Sequence, residues 1–525
     1  KNEPYIDPSD PEVRSQMMLA FERIRSHERN YDLFIGGRYL STETKIVSKN
    51  PADPDEVVGT VSKATREIVD KAIDAAYFAF KSWSRMPASE RVVPFLKAAQ
   101  IMRERRYELD ATMILEVGKS WIEADADLAE AIDFLEYYSR EALRYGQSQP
   151  VVQIPGEYNE LRYIPLGVGV VIPPWNFPSA IMAGMTTAAA VSGNCVLLKP
   201  ASDAPVIAAK FVDILREAGL PDGVVNYVPG SGSEIGDYLV EHPLTRFVSF
   251  TGSKEVGLRI NELAAKHQKG QKWIKRVILE MGGKDCVVVD ETADTDAAST
   301  GAVASAFGFQ GQKCSAGSRI IVVREVYDEM VKLVKQKTEA LTIGDTTDPN
   351  IYMGPVINES AVSKILRYIE LGKKESKLIT GGNRLKRRGY FIEPTVFADV
   401  SPTAAIAQEE IFGPVTAIIE ARDFEHAIAI ANGTEYGLTG AFYSKRRDRI
   451  EKAKTEIHVG NLYFNRKCTG ALVGVQPFGG FNLSGTDSKA GGRDYLLLFL
   501  QGKSISEKIL RSEERRVGKE CRSRW

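Results

Sequence analysis

The sequence predicts an α/β protein built on a mostly parallel, doubly wound sheet, followed by a second α/β region. Three observations predict this. Between about residues 167 and 290, short apolar runs alternate with helical patterns. Glycine-bearing turns sit where those runs hand over to helices, and after Asp290 new apolar runs resume the alternation without an internal repeat or a low-complexity linker. Strands separated by helices are joined by crossovers, and crossovers make parallel sheets whose ligands lie at the strands' carboxyl ends.

Upstream of the sheet, Val69, Ala72, Ile73, Ala76, Phe80 and Trp83 recur at helical spacing across 67–83, and further packing helices are expected over 90–117 and 122–145. A helix candidate covers 11–29. The stretch "VVQIPGEYNELRYIPLG" alternates across a glycine and reads as a β-hairpin inserted between the helices and the sheet. "VGVVIPP" is then a buried strand, 179–191 a small-residue helix and "CVLLK" the next strand. A helix capped by Asp203 and closed by Gly219 leads to "VVNYV". A helix from Glu234, the strand "RFVSF", a helix over 254–267 and "KRVIL" complete the series. Beyond it, helices are expected at 326–340 and 424–432, and strands at 319–323 and 415–420.

With 525 residues, 43% of them hydrophobic and 26% charged, the chain is long enough for two or three domains and a large core. A formal net charge of -1 provides no field to gather nucleic acid or anionic membrane, so neither is an expected partner. "SAIMAGMTTAAAV" falls short of the roughly 20 residues that span a bilayer. Lys1 is followed by no charged-then-apolar leader, which fits a cytoplasmic protein. The charge-rich stretch from Ser512, with Cys521, reads as a solvated or non-native tail.

Five scattered cysteines without a C-x-x-C pair argue against a disulfide framework, and no metal cluster is expected. Cys195 and Cys286 open apolar runs and read as small buried hydrophobes. Cys314, in "FGFQGQKCSAGSR", sits among small residues beside a lysine, surroundings in which a thiolate nucleophile could be stabilised and approached. His27, His242, His267, His426 and His458 lie in charged or helical segments, where solvent exposure is the simpler reading. A carboxylate is the better base. Glu280, in "ILEMGGKD", ends an apolar strand before two glycines, and burial there would raise its pKa toward that of a proton acceptor. Asn176 in "PPWNFP" is either a turn residue or an amide donor to a developing oxyanion.

"PGSGSEIG" and "FTGSKEVG" follow strands as small-residue turns that let backbone N–H groups approach a pyrophosphate, although neither matches G-x-G-x-x-G. Lys199 in "LLKPAS" is either a solvated lysine or a ligand for ribose hydroxyls or phosphate.

In this order, "PPWNFP", "LLKPAS", "FTGS", "LEMGGKD", "GQKCSA", "EEIFGPV" and "PFGGFNLSG" resemble the aldehyde dehydrogenase superfamily along residues 32–509. The resemblance implies a Rossmann-type NAD domain (46–150 and 167–285) and an α/β catalytic domain (286–484). It also implies an N-terminal arm (1–45) and a small β oligomerisation element (151–166 and 485–511), outside which 512–525 would lie. Cys314 would be the nucleophile, Glu280 the base, and Asn176 with the Cys314 N–H the oxyanion hole. Lys199, Ser202, Gly232, Gly236, Phe250, Ser253, Glu410 and Phe412 would line the NAD site. Ser202 stands where NAD-selective relatives often carry glutamate, so NADP would be tolerated.

Ser315 beside the cysteine, and "CTGALVGVQPFGG", narrow the resemblance to the branch acting on L-glutamate γ-semialdehyde, the 1-pyrroline-5-carboxylate dehydrogenases. There Ser315, Gly470 and Ala471 would hold the substrate's α-carboxylate, and Phe177 and Phe478 would wall its aliphatic chain. Cys468 gains no role. Pairing between subunits implies a homo-oligomer built from dimers. Two other readings stay open: a different semialdehyde dehydrogenase, or a non-catalytic NAD-binding scaffold.

Overall fold

The structure, a computed structural model, describes residues 1–26 and 29–509. His27 and the tail expected at 512–525, with Cys521, lie outside the described residues. Seven strands form the first sheet, in the order Arg276–Glu280, Phe247–Thr251, Val168–Ile172, Cys195–Leu198, Val225–Tyr227, Leu33–Ile35 and Arg38–Leu40. The first five run parallel. Their side chains are nearly all buried, as a sheet covered on both faces requires. Chain order reverses between Val168–Ile172 and Phe247–Thr251, and this switch point opens a crevice at the strands' carboxyl ends.

The second sheet runs Lys377–Thr380, Thr395–Ala398, Val415–Ala421, Arg319–Val323, Cys286–Val289, Thr439–Tyr443 and Asn461–Phe464, parallel apart from its first strand. Cys195 and Cys286 are buried within the two sheets, as expected of small hydrophobes. Among the described residues, no helix is long and apolar enough to cross a membrane.

Three expectations need correction. The helix over 90–117 is two helices, Ala88–Glu104 and Arg106–Val117, broken at Arg105 (φ -102°, ψ 20°). The charged run 103–106 offers no apolar side chain to bury across the junction. The hairpin at 151–166 is closed by little more than one antiparallel bridge, Gln149 opposite Leu161. Only Glu157–Pro165 is a strand, and its partner is the distant Leu500–Lys508, in unbroken antiparallel register from Pro165 opposite Leu500 to Glu157 opposite Lys508. Alternation marks a strand but cannot name its partner. Nor does Asp203 cap Pro205–Glu217. Ala204 occupies that position, and the Val206 and Ile207 N–H groups donate instead to the buried Glu116 carboxylate, at 2.7 and 2.9 Å. Asp203 accepts from Asn358.

Candidate active site

At the switch point lies a cavity of about 860 Å³. Its walls include Lys199, Gly232, Gly236, Phe250, Ser253, Glu410 and Phe412, together with Asn176 and Cys314 at one end. Ser202 is exposed just beyond Ala201, which lines the wall in its place. A Cβ added at Gly232 or Gly236 would meet no atom within 4 Å, so both glycines leave open space on the cavity side. Ser253 caps the helix Lys254–Ala265, its hydroxyl accepting from the Val256 N–H, which places a helix N-terminus at the wall. The Lys199 ammonium finds only the Pro200 carbonyl, at 3.3 Å, and burial lowers its pKa to about 8. Phe412 adopts a left-handed φ of 60°, which sets its ring edge-on to Trp175 at 5.6 Å.

Cys314 is held by an unusual loop. Phe309 and Gln310 are both left-handed, at φ 48° and 57°, a conformation that costs on the order of 1–2 kcal/mol per non-glycine residue. It persists because the Gln310 amide donates to the Gly118 and Pro355 carbonyls, at 3.0 and 2.8 Å, and the Gln312 side chain accepts from the Ile357 N–H. The Asn176 amide donates one hydrogen to the Gln312 carbonyl at 2.9 Å, and a primary amide has a second to offer the cavity.

The expected stabilisation of a thiolate by Lys313 is not what the loop provides. The Lys313 ammonium turns away to Glu123, at 2.6 Å. Burial, then the carboxylates of Asp285, Glu410 and Glu280, push the Cys314 thiol above its usual range. The resting cysteine therefore holds its proton, and a base must take it. Glu280 suits that task. Burial raises its carboxyl to about 7, against the opposing pull of the Ser488 hydroxyl, the Gly480 N–H and Lys489. Ser488 donates to one carboxylate oxygen and Gly480 to the other, the latter at 3.4 Å.

The glycines around this base are obligatory in their places. A Cβ at Gly283 would stand 2.4 Å from the Cys314 carbonyl oxygen, and one at Gly282 2.4 Å from the Glu410 carboxylate. At Gly479 it would crowd Glu280 itself, at 2.9 Å. The motifs "LEMGGKD" and "PFGGFNLSG" thus let the Glu280, Cys314 and Glu410 segments and the 479–488 loop pack closely around the site.

Away from the cavity, Ser315 is buried beside the nucleophile, and its carbonyl accepts from the Cys468 thiol at 3.4 Å. Cys468 is consequently a support beneath Ser315. Gly470 is exposed at φ +80° and followed by the half-buried Ala471. Phe478 is fixed by reciprocal backbone hydrogen bonds with Ala490, and Phe177 is half-buried. None of these six residues walls the large cavity. Among the described histidines, His267 and His458 are exposed, His242 and His426 partly so, and none lines it.

The profile of the Aldehyde dehydrogenase family matches residues 39–505. The chain belongs to that family. It is 58% identical over 508 residues to the 1-pyrroline-5-carboxylate dehydrogenase of Geobacillus thermodenitrificans (strain NG80-2), covering 97% of this chain and 99% of that one. To the enzyme of the same name from Bacillus subtilis (strain 168) it is 55% identical, over 96% of this chain and 98% of that one. Among solved structures, the 1-pyrroline-5-carboxylate dehydrogenase from Thermus with bound NAD superposes with a TM-score of 0.95 at 53% identity, covering 97% of this chain and 99% of that chain.

This aldehyde dehydrogenase also carries groups that sequence reasoning missed. The helix Trp121–Tyr145, expected only to pack, aims Glu123, Asp127 and Glu130 inward. Lys119 is fully buried, 3.4 Å from Asp127, with its ammonium over the rings of Phe177 (4.0 Å) and Phe309 (4.2 Å). Burial raises the Glu130 carboxyl to about 8, with Asp127 adding to the rise. Burial would raise Glu123 too, but the ammoniums of Lys313 and Lys119 outweigh it and hold that carboxyl below its ordinary value. The signal was present in the sequence: acids spaced by four and three residues on a helix that is otherwise apolar on the same side.

Proposed function

We propose that the chain oxidises L-glutamate γ-semialdehyde, the open form of 1-pyrroline-5-carboxylate, to L-glutamate with NAD, the second step of proline breakdown. The observation that carries this reading is the Cys468 thiol donating to the Ser315 carbonyl, which sets the loop leading to Gly470 and Ala471 against the residue next to Cys314. A hydroxyl and unobstructed N–H groups suit a carboxylate, and small residues let it come close. The names of the relatives support the same substrate.

The cavity suits a dinucleotide. Lys199 and Glu410 would hold ribose hydroxyls, the Ser253-capped helix start and the open glycines would face the pyrophosphate, and Phe250 and Phe412 would flank the rings. With Ser202 in place of a carboxylate, nothing there repels a 2′-phosphate, so NADP is tolerated. When bound, NAD supplies the hydride acceptor that turns the thiohemiacetal on Cys314 into a thioester.

Cys314 attacks the aldehyde carbon once its proton has passed to Glu280. The Asn176 amide and the Cys314 N–H hold the oxyanion that forms. Glu280 gives that proton up to solvent and then takes one from water, whose oxygen attacks the thioester carbon; the acid leaves as the Cys314 sulfur departs and takes the proton back from Glu280. Phe177, pinned by Lys119, and Phe478 wall the aliphatic chain.

We also propose a homo-oligomer built from dimers, because the ribbon of Glu157–Pro165 and Leu500–Lys508, with the chain leading into it, exposes Val152, Ile154 and Tyr158. The deciding experiment for the substrate is a panel of aldehydes assayed with NAD. Glutamate semialdehyde should be preferred over short aliphatic aldehydes by at least tenfold in kcat/KM, and the reverse order would overturn the assignment.

A further inference from the structure

The loop carrying Gly470 and Ala471 needs support on its far limb. Its near limb is fixed at Cys468, whose N–H donates to the Ser305 hydroxyl at 3.1 Å, and at the Thr469 and Gly470 carbonyls, both of which accept from Arg466. Further on, the chain lies on the helix Trp121–Tyr145. The Gly474 N–H donates to the Gly491 carbonyl at 2.9 Å, the Gly491 N–H donates to the Tyr138 hydroxyl at 2.7 Å, and a Cβ at Gly474 would stand 3.0 Å from the Tyr137 ring.

Between these supports, an unexpected segment reaches the loop. The Asn2 amide donates to the Val473 carbonyl at 3.0 Å and to Asp133 at 2.8 Å. The other Asp133 oxygen accepts from the Glu3 N–H at 2.8 Å. Glu3 in turn receives Arg103 (2.9 Å) and Arg106 (3.3 Å), Arg106 also donates to the Pro4 carbonyl at 2.6 Å, and the Ile6 N–H donates to Asp125 at 2.9 Å. Residues 2–6 are therefore a strap fastened to three helices by charge-assisted hydrogen bonds, with one free hand on the substrate loop.

We propose that this strap is a positioning element for substrate specificity: through Asn2 and Asp133 it holds the 469–476 backbone where Gly470 and Ala471 meet the α-carboxylate. The inference rests on the reading of Ser315, Gly470 and Ala471 given above. Its reach is confined to substrates bearing that carboxylate, because among the described residues Cys314, Glu280, Asn176 and the lining of the dinucleotide cavity share no hydrogen bond with the strap. Displacing an anion-binding backbone by about 1 Å is enough to weaken binding severalfold or more.

The test is steady-state kinetics of the full chain and its Asn2→Ala, Asp133→Ala and Asp133→Asn variants, with NAD, on glutamate semialdehyde and on butanal, which lacks the α-carboxylate. The expected result is a three- to tenfold rise in KM for the semialdehyde in the two alanine variants, and a smaller rise in Asp133→Asn, which keeps one acceptor. The kcat, the KM for NAD and the kcat/KM for butanal should stay within twofold. Equal losses on both aldehydes would mean a merely structural role and overturn the inference, as would an unmoved semialdehyde KM in Asn2→Ala. A wild type that oxidises butanal as well as the semialdehyde would overturn the substrate reading and this inference with it. An intact wild-type preference with unmoved variants overturns this inference alone.

Discussion

On one side of Cys314 lies a wide cavity walled mostly by the turns of the first sheet, with Asn358, Lys364, Glu410 and Phe412 added from the second α/β region; away from it, Lys119 lies over the Phe177 ring, the Cys468 thiol meets the Ser315 carbonyl, and Asn2 reaches the loop after Gly470 at Val473. Most of the cavity side comes from consecutive turns of one sheet, close along the chain. The substrate side is assembled from remote pieces, and Lys119 and Asp127 there are buried charges 3.4 Å apart, Asp127 also accepting from the Ala180 N–H at 2.7 Å and Lys119 lying over two aromatic rings. The first arrangement suits a ligand with phosphates and rings, which needs space and N–H groups. The second suits a small charged molecule, which needs fixed partners at fixed distances.

Cys314 belongs to both sides, and its removal should have the largest effect. Cys314→Ala is expected to lower aldehyde oxidation by a thousandfold or more while leaving the dissociation constant for NAD unchanged, since no other thiol lines the cavity. Measurable turnover in that variant would end the mechanism. Glu280→Gln comes next, with a loss of roughly 10²–10⁴-fold in steady-state turnover. In the parent enzyme the base is active only when ionised. With its carboxyl raised to about 7, activity should climb as pH rises through about 7 and fall below it, whereas an unperturbed glutamate would place that limb near 4.5. A pH profile of kcat flat between 5 and 8 would remove Glu280 from the role.

A matched pair sharpens the contrast further. Ser315→Ala should raise KM for the semialdehyde about tenfold, the scale of one lost hydrogen bond to a charged group, and leave KM for NAD alone. Gly236→Val should do the opposite. A Cβ there meets no atom within 4 Å, so the larger side chain should take up cavity space, weakening NAD binding about tenfold with little change in melting temperature. If either variant moved both constants together, the two sides would not be separable.

The same contrast explains what the sequence disclosed. The parallel series from "VGVVIPP" to "KRVIL", the turns at Gly232 and Ser253, and Glu280 at a strand end were legible because strand, turn and helix follow one another locally, and the switch point follows from their order. Cys314, Asn176 and the 470–471 loop were joined through motif resemblance, not spacing. What escaped was non-local pairing: the strand partner of Glu157–Pro165, some 340 residues away, the Glu116 carboxylate that replaces Asp203 at a helix start, and Asn2 against Val473. No periodicity encodes such contacts. The thiol's surroundings were misread for the same reason, since "GQKCSAG" places a lysine next to the cysteine along the chain while the fold turns its ammonium to Glu123.

The smallest expected effect falls on the seam between the two sides. Ser488 donates to Glu280, and a hydrogen bond to the ionised form favours ionisation. The other groups facing this carboxylate are the Gly480 N–H and Lys489, which act in the same sense, and Cys314 and the Tyr495 hydroxyl, whose negative forms it disfavours. Ser488→Ala removes one stabiliser and leaves the rest, so the Glu280 pKa should rise further and the acid limb of kcat should move to higher pH. Turnover at pH 6.5 would fall a few-fold and recover toward the parent value by pH 9, with both KM values unchanged and the limb restored by Ser488→Thr. A uniform loss at every pH would instead mean that Ser488 only packs the loop 479–488, and Glu280 would owe its poise to burial alone.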